Sequence, residues 1–277
     1  TALTAPIAAR HIKALSILVE IIPVLSPTKE FASAGLWTSD LKILNKLTYQ
    51  GVKVAEKLFF IETNKLARKL KVKEKNHDLA ISLVSPALLQ RPKDWPINSY
   101  IVGPWYQEKE ENVDQEILDF IGLKETIYAG FGSMKKKNPH KLAHEIIKAC
   151  KELDLQLIIN RGWGGLEMPS NYENDKSIKF VKGISHAKIF PKVKAIIHHG
   201  GVGTFHAALR AGTVSVIVPF IVDQPWWADR LHRLELGPKS LPLRKFTKSN
   251  LVKRINETSI YQSNVRSEEH TSELQSH

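Results

Sequence analysis

The sequence predicts an α/β chain built on parallel sheets, with a doubly wound second half. Three observations predict it. From Ala195 to Trp227 the chain runs as apolar strand, glycine turn, short helix, second all-apolar strand and polar loop. The return through so short a helix makes the two strands parallel neighbours in a sheet covered on both faces. From Glu125 onward, short apolar runs alternate with stretches of helical spacing, and a sheet wound in this way binds its ligand at the carboxyl ends of its strands.

Composition sets the outer bounds. With 277 residues, 43% hydrophobic and 25% charged, the chain is long enough for one large or two medium globular domains. Its longest apolar stretch near the start, Ile17 to Leu25, is broken by Glu20 and Pro23 and is shorter than the roughly 20 residues of a membrane span. One cysteine, Cys150, excludes an intrachain disulfide, fits a reducing, cytoplasmic compartment and reads as a small buried hydrophobe. The formal charge of +12 invites an anionic partner. The lysines are scattered, however, and no RRM, KH, zinc-finger or helix-turn-helix pattern accompanies them, so nucleic acid is not the expected partner.

The first residues read as the inside of a helix, so the chain is expected to begin within a domain. Ser16 to Leu25 reads as a strand ending at Pro23, and Ser26-Pro27-Thr28-Lys29-Glu30-Phe31 follows as a loop. Leu41 to Lys71 has helical spacing, with Leu44, Leu47, Val54, Leu58 and Phe59 as an apolar stripe expected in the core. Leu79 to Leu83 and Tyr100 to Val102 are short strands between Pro, Asn and Asp punctuation. Residues 1–106 are thus expected as one domain, and the acidic run from Gln107 to Glu116 opens a linker set at 107–124.

The second domain is set at 125–265. It opens with the strand Glu125 to Ala129 and the Gly130-Phe131-Gly132-Ser133 turn. A helix starting at Pro139 carries Leu142, Ile146, Ile147 and Cys150 on one face. The strand Leu155 to Ile159 leads to the loop Arg161-Gly162-Trp163-Gly164-Gly165, and the strand Ile178 to Val181 leads to the loop Gly183 to His186. Residues 266–277 match the conceptual translation of a common sequencing-adapter oligonucleotide and are set aside as a non-native tail.

The chemistry is expected at the turn after Ala195, Ile196 and Ile197. Gly200, Gly201 and Gly203 let the backbone approach an anion closely, while the N–H groups and dipole of the helix that starts there point at it. His198 and His199 can add donors, and Gly212 ends the helix as a C-cap. A glycine cluster alone is explained by a tight turn. The loop Phe220 to Trp227 opens on the same rim, however, and its Asp223 and Gln224 can bond hydroxyls, which points to a ligand.

HHGGVGT, LRAG and VPFIVDQPWWADR resemble the donor-binding signature of nucleotide-sugar glycosyltransferases of the GT-B fold. The branch they resemble holds sterol 3-beta-glucosyltransferases and the macrolide and antibiotic glycosyltransferases. The likeness continues in the family's order through Ile127 to Met134, Gly162-Trp163 and His186 to Pro191. It implies two Rossmann-like doubly wound domains: a remnant of the N-terminal acceptor-binding domain over 1–106 and a nearly complete C-terminal nucleotide-sugar-binding domain over 125–265. By the same resemblance, His198, His199 and the N–H groups of Gly200, Gly201, Gly203 and Thr204 would hold the diphosphate, helped by Gly132 and Ser133. Asp223 and Gln224 would bind hydroxyls of the sugar, and Trp163 and the backbone near Ile184 would face the base. Phe205 stands where the family often has a second threonine and Ser185 where it has a proline, which leaves base and sugar preference open.

The resemblance implies transfer of a sugar with inversion, from a UDP-sugar or dTDP-sugar, with UDP-glucose foremost, to a hydroxyl of a lipophilic acceptor such as a sterol. Preorganised N–H groups and a histidine can stabilise the departing diphosphate. No D-x-D triplet occurs in the sequence, so no metal and no cofactor beyond the donor substrate is expected. The family places its general base in a segment that would precede Thr1, so donor binding without turnover is the expectation for residues 1–277. A lipophilic acceptor also makes peripheral membrane contact an expectation. Two alternatives stay open: another GT-B enzyme acting on a glycolipid or natural-product acceptor, and a non-catalytic nucleotide-sugar or membrane-binding module.

Overall fold

The structure, a computed structural model, describes residues 3–35, 40–73, 76–106, 113–132, 138–162 and 166–274, with the side chains of 52, 55, 56 and 268–274 outside the description. The chain divides into two compact units, Thr1–Trp105 and Tyr106–His277.

The first unit runs through α1 (Ala5–His11), β1 (Ile17–Glu20), α2 (Asn45–Thr48), α3 (Gln50–Leu58), α4 (Phe60–Lys69), β2 (Leu79–Ser82) and β3 (Ser99–Ile101). Its three strands form a parallel sheet in the order β1-β2-β3. The loop after β1 is stitched to the loop before β3. Thr28 Oγ1 donates to Asp94 at 2.6 Å, and Trp95 Nε1 donates to the Ser26 carbonyl at 3.1 Å. Arg91 gathers the carbonyls of Trp95, Pro96 and Ser99. Glu20, buried at the end of β1, accepts from the hydroxyls of Ser26 and Ser82, and burial pushes its carboxyl up to about 7.

Two expectations for this unit are corrected. The first strand stops at Glu20 rather than continuing to Leu25, because the backbone turns at once, with the Val24 N–H bonded back to the Ile22 carbonyl next to Pro23. The helical stretch breaks into a 3₁₀ turn at Lys42–Leu44 and three short helices, and its stripe is not core: Leu44, Leu47, Val54, Leu58 and Phe59 are all exposed. The segment anchors to the unit through Asn45, Tyr49 and Ala67, which are buried. Apolar periodicity identifies a face without saying what lies against it.

The second unit contains α5 (Gln115–Leu123), β4 (Thr126–Gly130), α6 (Pro139–Glu152), β5 (Gln156–Asn160), β6 (Ile178–Val181), α7 (His186–Ile189), β7 (Ala195–His198), α8 (Val202–Arg210), β8 (Ser215–Ile217), α9 (Gln224–Arg233) and α10 (Lys248–Leu274). All five strands are parallel, in the order β6-β5-β4-β7-β8. The chain winds outward from β4 to β6, then returns to β7 on the other side of β4. That reversal creates a switch point between β4 and β7.

Alternate residues of each strand feed two cores. Ile127, Ala129, Leu157, Ile159, Ala195 and Ile197 pack with Ile146 and Ile147 of α6 and Leu251 and Ile255 of α10. Tyr128, Ile158 and Ile196 pack on the opposite face with Ile189, Phe190 and Ala208. Cys150 is buried in the first of these cores, and burial pushes its thiol up to about 12.

The second core also takes Ile117, Phe120 and Ile121 of α5, within the stretch 107–124. Its latter half is a helix, since the apolar spacing of those three residues outweighs the acidic composition that precedes it. Gly212 ends α8 at φ 61°, with its N–H bonded to the Leu209 carbonyl and that of Thr213 to the Ala208 carbonyl. Helix α10 continues into the residues set aside as non-native, and Val265 is its last buried residue among those described.

Candidate functional site

The register pairs Gly130 with His198 and His198 with Ile217, so the loops after β4, β7 and β8 leave the sheet side by side at one rim. Helices α8 and α9 both start there, and among the described residues no side chain caps either start. The first N–H to find a helical acceptor in α8 is that of Phe205, which bonds the Gly201 carbonyl at 2.9 Å. The N–H groups of Val202, Gly203 and Thr204 precede it and give the rim an electropositive end.

The two histidines do different work. His198 ends β7 and is fully buried. Its Nδ1 accepts from the Gly200 N–H at 3.1 Å, which fixes the turn and places the ring proton on Nε2. That Nε2 is buried with no hydrogen-bond partner among the described residues. Desolvation, reinforced by His199 and His186, pushes the His198 imidazole down to about 3, so it is neutral.

His199 is half-buried at the rim. Two glycines shape its seat: a Cβ at Gly201 would lie 2.3 Å from His199 Nε2, and one at Gly132 would lie 3.3 Å from its Cε1. Phe220 stacks on the ring from the β8 loop. Gly200 has φ +85°, and a Cβ there would come within 2.8 Å of the Ile217 side chain. The loops after β4 and β5 also meet through backbone, since a Cβ at Gly162 would lie 2.4 Å from the Gly132 carbonyl oxygen.

Asp223 and Gln224 sit beside this seat, both buried. Gln224 Oε1 accepts from the N–H groups of Phe220 and Ile221 at 2.8 and 3.2 Å, so its carbonyl end shapes the loop. Asp223 Oδ2 accepts from Trp227 Nε1 at 3.0 Å, and desolvation raises its carboxyl above the usual range. The structure therefore brings together Gly132, His199, Gly200, Gly201, Gly203, Thr204, Asp223 and Gln224. Ile184 is on the same rim in the β6 loop, three strands from β7, and packs partly into the core below. Ser133 and Trp163 lie outside the described residues.

Sequence reasoning passed over three features. Phe220, the partner of His199, was read only as part of a loop. Val222 has φ 56°, a left-handed backbone that β-branched residues avoid, and nothing in its local sequence announces it. Beneath the rim, the Tyr128 hydroxyl accepts from Asn160 Nδ2 at 2.8 Å and is bonded to His186 Nε2 at 3.0 Å. Tyrosine inside an apolar strand run was the available signal.

Comparison with known proteins agrees with this architecture. The chain is 36% identical over 176 residues to a sterol 3-beta-glucosyltransferase of Arabidopsis thaliana, a match covering 62% of this chain and 27% of that protein. It is 32% identical over 186 residues to a sterol 3-beta-glucosyltransferase of Komagataella phaffii, covering 63% and 15%. The match thus spans about a quarter or less of these relatives.

Among solved structures, the glycotransferase of kitacinnamycin superposes with a TM-score of 0.74 at 13% identity, covering 98% of this chain and 69% of that one. The calicheamicin glycosyltransferase superposes with a TM-score of 0.66 at 15% identity, covering 98% and 68%. At such identities the likeness is one of fold, and that fold is GT-B. The profile of the family described as UDP-glucoronosyl and UDP-glucosyl transferase matches residues 44–268, most of the chain, and the chain belongs to that family.

Proposed function

We propose that the rim of the second unit binds the diphosphate of a nucleotide sugar, and that the protein transfers glucose from UDP-glucose, with inversion, to the hydroxyl of a sterol. The observation that carries this reading is the seat of His199, held between Gly132 and Gly201 at the uncapped start of α8. An imidazole beside unsatisfied N–H groups at the positive end of a helix matches the charge that builds on a departing diphosphate. His198 acts by holding Gly200 in place, and Asp223 and the Gln224 amide take hydroxyls of the sugar. The names of the relatives support the sterol acceptor and the glucosyl group. We propose metal-independent binding, with the N–H groups and His199 meeting the diphosphate directly.

Calorimetric titration of the chain with UDP and with UDP-glucose, each with and without chelator, tests the reading. His199→Ala is expected to weaken both ligands by about tenfold or more, the effect of losing a hydrogen bond to a charged group. Asp223→Asn keeps an acceptor for Trp227 and is expected to weaken UDP-glucose while leaving UDP nearly unchanged. Unchanged UDP affinity in His199→Ala would overturn the diphosphate assignment.

A further inference from the structure

Beneath the rim, the sheet face that packs on α5, α7 and α8 holds a polar cluster within an apolar core. Tyr128 enters that core from β4 and is buried, with its hydroxyl in the space that the missing side chain of Gly130 leaves: a Cβ at Gly130 would lie 2.9 Å from it. The hydroxyl meets Asn160, the last residue of β5, and His186, the first residue of α7. Those two residues border the loop after β5 and the loop after β6.

The hydrogen bonds of this cluster have a defined direction. The Gly162 N–H can only donate, and it bonds Asn160 Oδ1 at 3.1 Å, so the amide turns Nδ2 toward the tyrosine and donates to the hydroxyl at 2.8 Å. A phenol has one proton, and burial pushes its ionisation up to about 12, so that proton stays on oxygen at neutral pH. Its acceptor is His186 Nε2 at 3.0 Å, which fixes the neutral imidazole with its own proton on Nδ1. Phe190 stacks on the same imidazole, with centroids 4.3 Å apart, and holds its plane. One buried hydroxyl therefore sets both the carboxamide under Gly162 and the ring at the head of α7.

The diphosphate seat proposed above follows β7, and the sugar contacts Asp223 and Gln224 follow β8, at one end of the strand order β6-β5-β4-β7-β8. With the sugar on that side, the nucleoside at the other end of the diphosphate runs back over β4, β5 and β6, toward the two loops that Tyr128 ties together. We propose that Tyr128 is a positioning residue for the nucleoside half of the donor site, acting through Asn160 on the β5 loop and through His186 on the β6 loop without touching the donor. The proposal rests on the diphosphate assignment.

Calorimetry of Tyr128→Phe with UDP and with inorganic pyrophosphate separates the two halves of the ligand. The phenyl ring keeps the packing against Phe190 and loses only the hydroxyl. UDP is expected to bind about five- to tenfold more weakly, the effect of two lost hydrogen bonds, while pyrophosphate affinity changes by less than about twofold. Asn160→Asp is expected to weaken UDP to a similar extent, because its carboxylate still accepts from Gly162 but draws the phenol proton away from His186. In the double variant the two losses should fall well short of multiplying. Proton–nitrogen correlation spectra of the imidazoles, recorded without ligand, are expected to show His186 protonated on Nδ1 in the unaltered chain and to lose that form in both variants. Asn160 is only half-buried, so Asn160→Asp carries the same comparison if Tyr128→Phe does not fold. Unchanged UDP affinity, equal losses for UDP and pyrophosphate, or an Nδ1-protonated His186 that survives the substitutions would each overturn the proposal. An unaltered chain that binds neither UDP nor pyrophosphate would instead remove the diphosphate assignment, and this proposal with it.

Discussion

The His199 imidazole stacks on Phe220, with ring centroids 6.3 Å apart and planes within 10° of parallel. A residue from the β7 turn and one from the β8 loop thereby fix a single ring orientation at the rim. Phe220→Leu frees the imidazole without emptying the space beneath it. The expected result is a several-fold loss of UDP affinity, from a stacking contact worth about 0.5–1.5 kcal/mol. In a double-mutant cycle with His199→Ala the two losses should be far from additive, and full additivity in calorimetry would show that Phe220 does not act through His199.

Gly200 and Gly203 are three positions apart and should respond oppositely to alanine. At Gly200 a Cβ meets Ile217 at 2.8 Å on a backbone with φ +85°, and Gly200→Ala is expected to cost about 1–3 kcal/mol in urea unfolding. At Gly203 a Cβ meets nothing within 4 Å inside a helix, and Gly203→Ala is expected to be neutral or to stabilise by up to about 1 kcal/mol. Equal effects at the two sites would contradict the turn geometry.

Val222 holds a left-handed backbone at φ 56° while 62% exposed, so its side chain gains little from burial in return. Relief of that conformation is worth about 1–2 kcal/mol, less the roughly 0.5–1 kcal/mol that a glycine costs in unfolded-chain entropy. Val222→Gly is therefore expected to raise stability by about 1 kcal/mol or slightly less, read from the urea midpoint. A lower midpoint would mean that the loop is not strained there.

Two buried histidines set an acid limit. Burial pushes His198 down to about 3 and His206 down to about 4, both below the ordinary value of 6.5. Between these values and 6.5 the unfolded chain takes up protons that the folded chain refuses. The sign follows: their stabilising effect is complete above pH 6.5 and is lost as pH falls toward 4, at up to about 1.4 kcal/mol per pH unit for each ring. His206 lies against Phe205 and Trp227, where a phenyl ring suits the surroundings. His206→Phe should flatten the fall in unfolding free energy between pH 6 and 4 by about one proton's worth, and an unchanged slope would show that His206 ionises freely in the folded protein.

Much of this was legible in the sequence, and the reasons are local. The unit from Ala195 to Trp227 could be read residue by residue because apolar runs, glycines and a C-cap each leave a short-range signature, and the structure returns β7, α8, β8 and α9 in that order. The stripe through Leu44 and Leu58 was visible, but its exposure was not, because spacing defines a face and not its neighbour. Helix α5 was hidden by the acidic residues before it. The strain at Val222 follows from how the β8 loop must close onto α9, which no neighbouring residue encodes. The full burial of His198 and the half-buried place of His199 follow from where β7 ends, between two consecutive identical side chains.

The near-contact between Gly162 and the Gly132 carbonyl has a bearing on how this rim can diverge. A side chain at Gly162 is accepted only if the Gly132 loop retreats, whereas one at Gly132 would press on His199, so drift at Gly162 is closed off by the backbone of the β4 loop. Diversity is then channelled to neighbours whose side chains leave the shared backbone alone. A lineage that changes its ligand preference at this rim is expected to do so at flanking positions, with Gly162 kept for as long as the β4 loop holds its path.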